Sequence, residues 1–462
     1  PVCLRTVPAL RVCEGADVYL SKTCPEHGGS RSIIWRGPPA LEAWYRSKPP
    51  SRPASTQTER QRGCPWDCGL CPEHAQGTCC VLLEVTGRCD LGCPVCFASS
   101  GESAGSDPTL EEIAGWYRLL LDNAGACNIQ LSGGEPTMRD DLPEIISLGR
   151  TMGFSFFQLN TNGLRLASDP GYAGLLKRAG LSTVFLQFDG LDDRTQEALR
   201  GEALRESKDR AIEHCAAAGL GIVLVPTLVP GINTDKIGQI IRYAIQRLPH
   251  VRGVHFQPIS YFGRYPREPR DCDRYTLPEL MRAIESQTEG LIPASSLRAS
   301  GCEHSLCSFH GDYVLMPDGS VSVLGRAAEP RPCCQKGPAV SPAERKRDFV
   351  ARHWPLTASP EVRRDRGAAL TGFPSKVPAP GSPAGAEAPA GEPMASIDEF
   401  LDRVRTYGFT ITAMAFQDVW TLDLERLRSC CLHVVKPGGK IVPFCAYNLT
   451  DCSGRPIHRG TA

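Results

Sequence analysis

Short apolar runs recur along the middle of the chain, and polar stretches with apolar residues every three or four positions separate them. Val81 to Val85, Asn128 to Leu131, Phe156 to Leu159, Thr183 to Phe188, Ile222 to Thr227 and Val254 to Pro258 read as buried strands, because bounded apolar runs of this length fit strands better than helices. The intervening stretches from Thr109 to Leu120, Leu142 to Leu148, Tyr172 to Arg178, Asp209 to Ala218 and Asp235 to Arg247 read as helices. The first has Thr109, Glu111 and Glu112 at its start, which suits a capped, acidic first turn. Six strands alternating with five helices predict βαβ units, a parallel sheet and right-handed crossovers. Six units fall short of the eight that close a full barrel. The expectation over residues 81–265 is therefore an α/β partial (β/α)6 barrel or an open sheet.

The flanks follow other patterns. Residues 1–63 read as a small loop-rich module with one strand-like stretch, Asp17 to Leu20, and a polar linker from Ser47 to Arg62. Residues 64–80 form a separate cysteine-rich segment. Residues 266–337 break the alternation. Residues 338–396, rich in Pro, Ala, Gly and Arg and including Val377 to Pro383, suggest a flexible insertion. Residues 397–462 form a final unit that opens with a helix from Ile397 to Tyr407. Two hairpins are expected, one turning at Pro317-Asp318-Gly319 and one at Pro437-Gly438-Gly439.

Composition narrows the function. Hydrophobic content of 41% over 462 residues excludes global disorder. With 51 basic and 51 acidic residues, the usual electrostatic case for a nucleic-acid partner is absent. No stretch approaches the ~20 apolar residues of a membrane span, and the start lacks the layout of a signal peptide, so a cytoplasmic protein is expected. The 22 cysteines change the picture. Disulfide frameworks belong to small domains without an adequate core. This chain is long, and its cysteines fall in short-spaced groups, so metal binding is the expectation.

Cys89, Cys93 and Cys96 lie just beyond the first strand of the alternation, spaced three then two apart. Three thiolates in one loop can hold three irons of a [4Fe–4S] cluster and leave the fourth open to a ligand; a zinc knuckle is the alternative. Ser132-Gly133-Gly134-Glu135-Pro136 follows the second strand. Glycines there let backbone approach a ligand, and the carboxylate can accept bonds from an ammonium. Cys64, Cys68 and Cys71 repeat the three-then-two spacing, with Cys79 or Cys80 as the fourth ligand of a closed auxiliary cluster, or with His74 for zinc. Cys302, Cys307, Cys333, Cys334, Cys430, Cys431 and Cys445 supply candidate ligands for further clusters. Cys3, Cys24 and His27 form a knuckle-like half site for mononuclear iron or zinc. Cys13, Cys127, Cys215 and Cys272 are isolated and default to small buried hydrophobes.

The spacing of Cys89, Cys93 and Cys96, the aromatic Phe97 after them and the Gly133-Gly134-Glu135 segment resemble the radical S-adenosylmethionine (SAM) superfamily. The resemblance implies a [4Fe–4S] cluster on the three cysteines, SAM at its open iron, and cleavage of SAM to a 5′-deoxyadenosyl radical. Gly133, Gly134 and Glu135 would then meet the methionine amino group. Asn160, Asn162 and Asp189, at later strand ends, become candidates for contact with SAM or substrate. His255 and Tyr261, at the end of the sixth strand, read as packed or surface positions.

More narrowly, Cys3-Leu4-Arg5, Cys24 to Gly28, the twin cysteine motifs and Pro443 to Asn448 resemble one family. It contains the class D radical SAM methylases, similar to methyltransferases of a dihydro-hydroxymethylpterin, and the archaeal tetraether lipid synthases. Its pattern begins Cys-Pro-x-Cys, so one ligand is expected just before Pro1. The resemblance implies one or more auxiliary [4Fe–4S] clusters, an electron donor such as ferredoxin or flavodoxin, and a small-molecule or lipid substrate. Methylation of a pterin-like or other small substrate is the favoured expectation. Carbon–carbon coupling of lipid chains and a non-enzymatic metal-binding protein are the alternatives.

Overall fold

The computed structural model describes residues 1–47, 50–53, 55–101, 106–324, 342–356 and 396–460. Strands β1 (Ala9–Glu14), β2 (Asp17–Cys24) and β3 (Gly28–Arg36) form a small antiparallel sheet of their own. This module is held to the rest of the chain by ion pairs of Arg11 with Asp423 and of Arg36 with Glu279, each at 2.7 Å.

The central sheet begins with β4 (Cys80–Thr86), β5 (Asn128–Gly133), β6 (Phe157–Thr161), β7 (Thr183–Gln187), β8 (Gly221–Val225), the short β9 (Thr227–Leu228) and β10 (Val251–Pro258). Strands β4, β5, β6, β7, β8 and β10 pair in parallel in that order. Helices Leu110–Ala124, Leu142–Thr151, Tyr172–Ala179, Arg205–Ala217 and Ile237–Ile245 alternate with them, which is the expected α/β arrangement. The first of these helices starts at a capping box in which Thr109 and Glu112 satisfy each other's backbone N–H groups. Short helices Leu164–Ser168 and Asp193–Arg200 follow the ends of β6 and β7.

Each of these strands is covered on both faces, so its alternating residues split between two environments. Val81, Leu83, Ile129, Leu131, Leu159, Val184, Ile222, Leu224, Val254 and Phe256 join the helices in one apolar core. Gln130, Gln158, Asn160, Phe185, Gln187, Val223, His255 and Gln257 take the alternate positions in their strands.

Later strands extend the sheet at both margins. These are β11 (Arg298–Ala299), β12 (Ser308–Leu315), β13 (Val321–Val323), β14 (Gly408–Met414), β15 (Leu432–Lys436) and β16 (Lys440–Pro443). Strand β14 lies parallel to β10 and β15 parallel to β4, so residues beyond 397 reach both sides of the six-strand core. Both expected hairpins are present, as β12 with β13 and β15 with β16. Gly319, Gly438 and Gly439 adopt the left-handed backbone that such tight turns need.

Within the stretch read as a flexible insertion, Pro342–His353 is a helix. It seats Val350 and the following Trp354 against Phe156, Phe185 and Val223. Arg347 donates to the Ala126 carbonyl at 2.7 Å, and Arg252 donates to the His353 carbonyl at 3.1 Å. A Cβ on Gly221 would lie 2.3 Å from the Trp354 carbonyl oxygen, so the seat requires glycine at the start of β8. The expectation of a flexible insertion gives way to a packed helix over 342–356, because Phe156 before β6, Phe185 in β7 and Val223 in β8 need an apolar cover. Cys333, Cys334 and the run Val377 to Pro383 lie outside the described residues.

Candidate active site

Three loops meet at the carboxyl ends of β4, β5 and β6. The first carries Cys89, Cys93 and Cys96. The second begins at Gly133 (φ +127°), where a Cβ would sit 2.1 Å from the Thr86 carbonyl oxygen; on Gly134 it would sit 2.0 Å from that of Arg88. Both glycines therefore let the β5 loop lie directly on the β4 loop. Gly134 N donates to Thr86 O, and Glu135 N to Arg88 O, each at 2.8 Å.

Glu135 is buried and accepts four hydrogen bonds. Thr137 N, Thr137 Oγ1 and Thr161 Oγ1 donate to Oε1 at 3.0, 2.7 and 2.8 Å, and Asn162 N donates to Oε2 at 2.6 Å. Burial pushes its pKa above the usual carboxylate value while these donors pull it down. Asn162 extends the link, since its Nδ2 donates to Asp90 Oδ1 at 2.6 Å, inside the cysteine loop. One carboxylate and one amide thus clamp all three loops. Asn160 has a different setting. Its Oδ1 accepts from Gln158 Nε2 at 2.8 Å, and its Nδ2 donates to Gln130 Oε1 at 3.4 Å, making an amide ladder across β5 and β6.

These groups line a cavity of about 280 Å³. Cys89, Cys93, Cys96, Gly133, Gly134, Glu135, Asn160 and Asn162 all border it, together with Gln130, Gln158, Gln187, His255 and Gln257; Phe156, Phe185, Val350 and Trp354 add apolar wall. Asp189 does not border it. It is wholly buried, and Arg200 Nε and Nη2 donate to it at 2.6 and 2.8 Å while Thr227 N donates at 2.9 Å. Arg200 faces the cavity in its place and also bonds Cys93. Burial opposes the guanidinium charge, but Asp189 outweighs burial and keeps Arg200 protonated. Burial pushes Cys89 up to about 12.

Sequence reasoning missed Arg200, which no motif marks, and set aside His255, whose Nδ1 lies 2.7 Å from Thr412 Oγ1. The glutamines had a legible signal, because an amide at alternate positions of a strand buried on both faces is out of place. Tyr261 lies elsewhere and donates to the Asp273 carbonyl at 2.6 Å.

The remaining cysteines fall into distinct groups. Cys64 bonds Cys68, and the charges of Cys71 and Cys430 act on Cys68. Cys307 and Cys445 act in turn on Cys430. His74 turns to His433, with the two Nε2 atoms 3.1 Å apart, and burial lowers His74 to about 4. Cys79, Cys302 and Cys431 are buried with their sulfurs within 4.8 Å of one another; Cys3, Cys24 and His27 are as tight. His27 Nδ1 lies 3.4 Å from Cys24 Sγ, and this contact lowers Cys24 to about 7. Cys80 borders the cavity. Of the isolated cysteines, Cys127 and Cys215 are buried, whereas Cys13 and Cys272 are exposed. The buried-hydrophobe expectation fails for those two, which lie in the edge strand β1 and in a short surface turn.

A three-cysteine loop and a glycine pair at consecutive strand ends of a partial barrel define a class. The profile of the radical SAM superfamily matches residues 83–244, and that of the HMPTM N-terminal zinc ribbon domain matches residues 1–36. The chain is 32% identical to the 7,8-dihydro-6-hydroxymethylpterin dimethyltransferase of Methanocaldococcus jannaschii, over 97% of this chain and 92% of that protein. It belongs to the class D radical SAM methylase-like family that contains that protein, and it is an enzyme. The GTP 3′,8-cyclase of Marinobacter nauticus is 30% identical over 53% of this chain and 69% of its own length. Among solved structures, Streptococcus suis SuiB bound to SAM is similar at 15% identity and a TM-score of 0.38, covering 46% of this chain and 48% of that one. No helix of the described residues is long and apolar enough to cross a membrane.

Proposed function

We propose that this radical SAM enzyme transfers a methyl or one-carbon unit to a pterin-like heterocycle. The observation that carries the reading is the cavity wall, where Gln130 of β5, Gln158 and Asn160 of β6, Gln187 of β7 and Gln257 of β10 present amides. Amides pair donors and acceptors with the edge of a flat, nitrogen-rich ring. The apolar side chains Phe156, Phe185 and Trp354 supply surface for its faces. The substrate named for the Methanocaldococcus jannaschii relative is such a ring. Lipid coupling would ask for a long apolar channel, and both the amides and the Trp354 cover oppose it.

The donor set at Cys89, Cys93 and Cys96 fits a cluster. All three border the cavity, yet their sulfurs are not among the tight groups within 4.8 Å that suit a single ion. When bound there, a reduced [4Fe–4S] cluster supplies the electron that cleaves SAM to a 5′-deoxyadenosyl radical. The protein's own part is positioning. Gly133 and Gly134 keep the β5 loop free of side chains where the methionine end of SAM would lie. Glu135 and Asn162 hold the three loops in register. Arg200, its charge balanced by Asp189, would offer a ligand carboxylate a hydrogen-bond donor held in a fixed orientation. Cys64, Cys68, Cys71 and Cys430 are the set we assign to an auxiliary cluster, and Cys3, Cys24 and His27 to the zinc-ribbon ion. A small electron donor of the ferredoxin or flavodoxin kind supplies the reducing equivalents.

The test is a reaction of the reduced, cluster-loaded enzyme with SAM, a folate-type one-carbon donor and 7,8-dihydro-6-hydroxymethylpterin. We expect a methylated pterin together with 5′-deoxyadenosine. Formation of 5′-deoxyadenosine without methylation of any pterin would sink the substrate reading while leaving the enzyme class intact.

A further inference from the structure

Among the described residues that border the central cavity, the carboxylates and guanidiniums are those of Glu135, Arg200, Glu303 and Arg347. The first two stand at the end where the cysteine loop lies. Glu135 already accepts four hydrogen bonds, and Arg200 is paired with Asp189. Glu303 lies elsewhere. Its charge acts on Cys79 and Cys80, which places it by the start of β4, whereas Cys89, Cys93 and Cys96 lie beyond the end of that strand. Strand β4 has seven residues and separates the two ends by about 20 Å at ~3.3 Å per residue. Glu303 reaches this point from the loop after β11, at the opposite margin of the sheet.

Arg347 belongs to the same end. Its Nη1 donates to the Ala126 carbonyl, just before β5, whose first residue Asn128 is in register with Cys80. The guanidinium has five N–H donors, so this bond leaves it others for a ligand. Ser308 also borders the cavity, and its buried Oγ has no hydrogen-bond partner among the described residues. Glu303 is only 9% exposed, and Ser300 Oγ donates to its Oε2. A carboxylate accepts at about four lone-pair sites, so it can hold Ser300 and a ligand together.

A carboxylate on the wall of a cavity for a flat ring selects two N–H donors that lie side by side in one plane. The pyrimidine half of a pterin presents such a pair, N3–H beside the 2-amino group, with the 4-oxo acceptor next to them. The carbons open to radical attack lie on the other ring and its substituent. We propose that Glu303 accepts from N3–H and the 2-amino group of the substrate, while Arg347 donates to its 4-oxo group. The reactive ring then points along β4 toward the cysteine loop. This inference rests on the pterin reading above and adds the direction in which the ring enters. It also predicts a specificity. A pteridine with oxygen at C2 offers an acceptor where Glu303 needs a donor, and sites built to bond a donor reject ligands that lack it.

The experiment is calorimetric binding to the full-length, cluster-loaded enzyme with SAM and no reductant, so that no turnover occurs. The two ligands are 7,8-dihydro-6-hydroxymethylpterin and its 2-oxo analogue, each titrated into wild type and Glu303→Gln. We expect the wild type to favour the 2-amino ligand by about tenfold or more, as for a hydrogen bond to a charged group. Glu303→Gln should lose or reverse that preference, because its amide accepts from N3–H and donates to a 2-oxo group. No binding of the pterin to wild type would overturn this inference together with the pterin reading. Pterin binding without a preference in wild type, or with the same preference in both proteins, would overturn this inference alone. If Glu303→Gln does not fold, the wild-type comparison decides: a preference for the 2-amino ligand supports the proposal and equal affinities overturn it.

Discussion

Gly134 shows how one missing side chain can hold a site together. Its Cα lies so close to the β4 loop that a methyl group would sit 2.0 Å from the Arg88 carbonyl oxygen. Gly134→Ala must push the two loops apart, at a cost of about 1–3 kcal/mol for such overpacking. We expect a lower midpoint of thermal unfolding and at least a tenfold drop in 5′-deoxyadenosine formation, because the same displacement moves Glu135 away from Asn162. Lys208 makes a second residue-scale case. It is wholly buried and donates to the Asn162 carbonyl at 2.5 Å, near Glu135, Asp189 and Arg200. Burial lowers its pKa from 10.5 to about 8. Between those values the unfolded chain keeps the proton and the folded chain does not, so stability rises with pH across that window. Below it both states are charged, and the full desolvation cost applies, on the order of 3 kcal/mol at ~1.4 kcal/mol per pKa unit. Urea unfolding from pH 7.5 to 10.5 should show this rise in the wild type and a flatter curve in Lys208→Met. An identical slope in both proteins would show that Lys208 does not titrate there.

Among the elements, the helix Pro342–His353 bears most directly on function. Its sequence belongs to a stretch whose composition suggests a loose insertion, yet Trp354 packs on Phe185 with ring centroids 5.0 Å apart and donates to Thr410 Oγ1 at 3.2 Å. Trp354→Ala should cost about 3–5 kcal/mol, the range for emptying a large buried aromatic site. It should also open the cavity floor, raising the KM for the acceptor substrate more than that for SAM. Steady-state kinetics with each substrate varied in turn would check this, and equal effects on both would place the helix in a purely structural role. The βαβ elements were legible because apolar periodicity is a local property. The seat of this helix was not, since its partners Phe156, Phe185 and Val223 come from three different strands.

For the whole molecule, the deciding contacts join regions far apart in the chain. Arg274 and Asp418 form a buried ion pair at 2.8 Å, and Asp418 also accepts from Tyr261 N and Thr421 Oγ1. Arg274→Met would leave that carboxylate buried without its counter-charge, at a cost of about 3–5 kcal/mol. We expect a markedly lower unfolding midpoint and faster proteolysis of residues 1–36, because Lys22 of the ribbon donates to the Val419 and Leu422 carbonyls beside Asp418. Unchanged proteolysis would show that the ribbon docks independently of this pair. Local information in the sequence determined the six-strand alternation, the two hairpins, the capped first helix and the motifs at Cys89 and Gly133. Each of these depends on the order of neighbouring residues, whether through periodicity, turn chemistry or ligand spacing. Only the tertiary structure decided that Arg200, not Asp189, faces the cavity, that amides line its wall, and that Cys79, Cys302 and Cys431 meet at one point. The physical reason is that a folded sheet brings together side chains hundreds of residues apart, and no local pattern records which of them will share an environment.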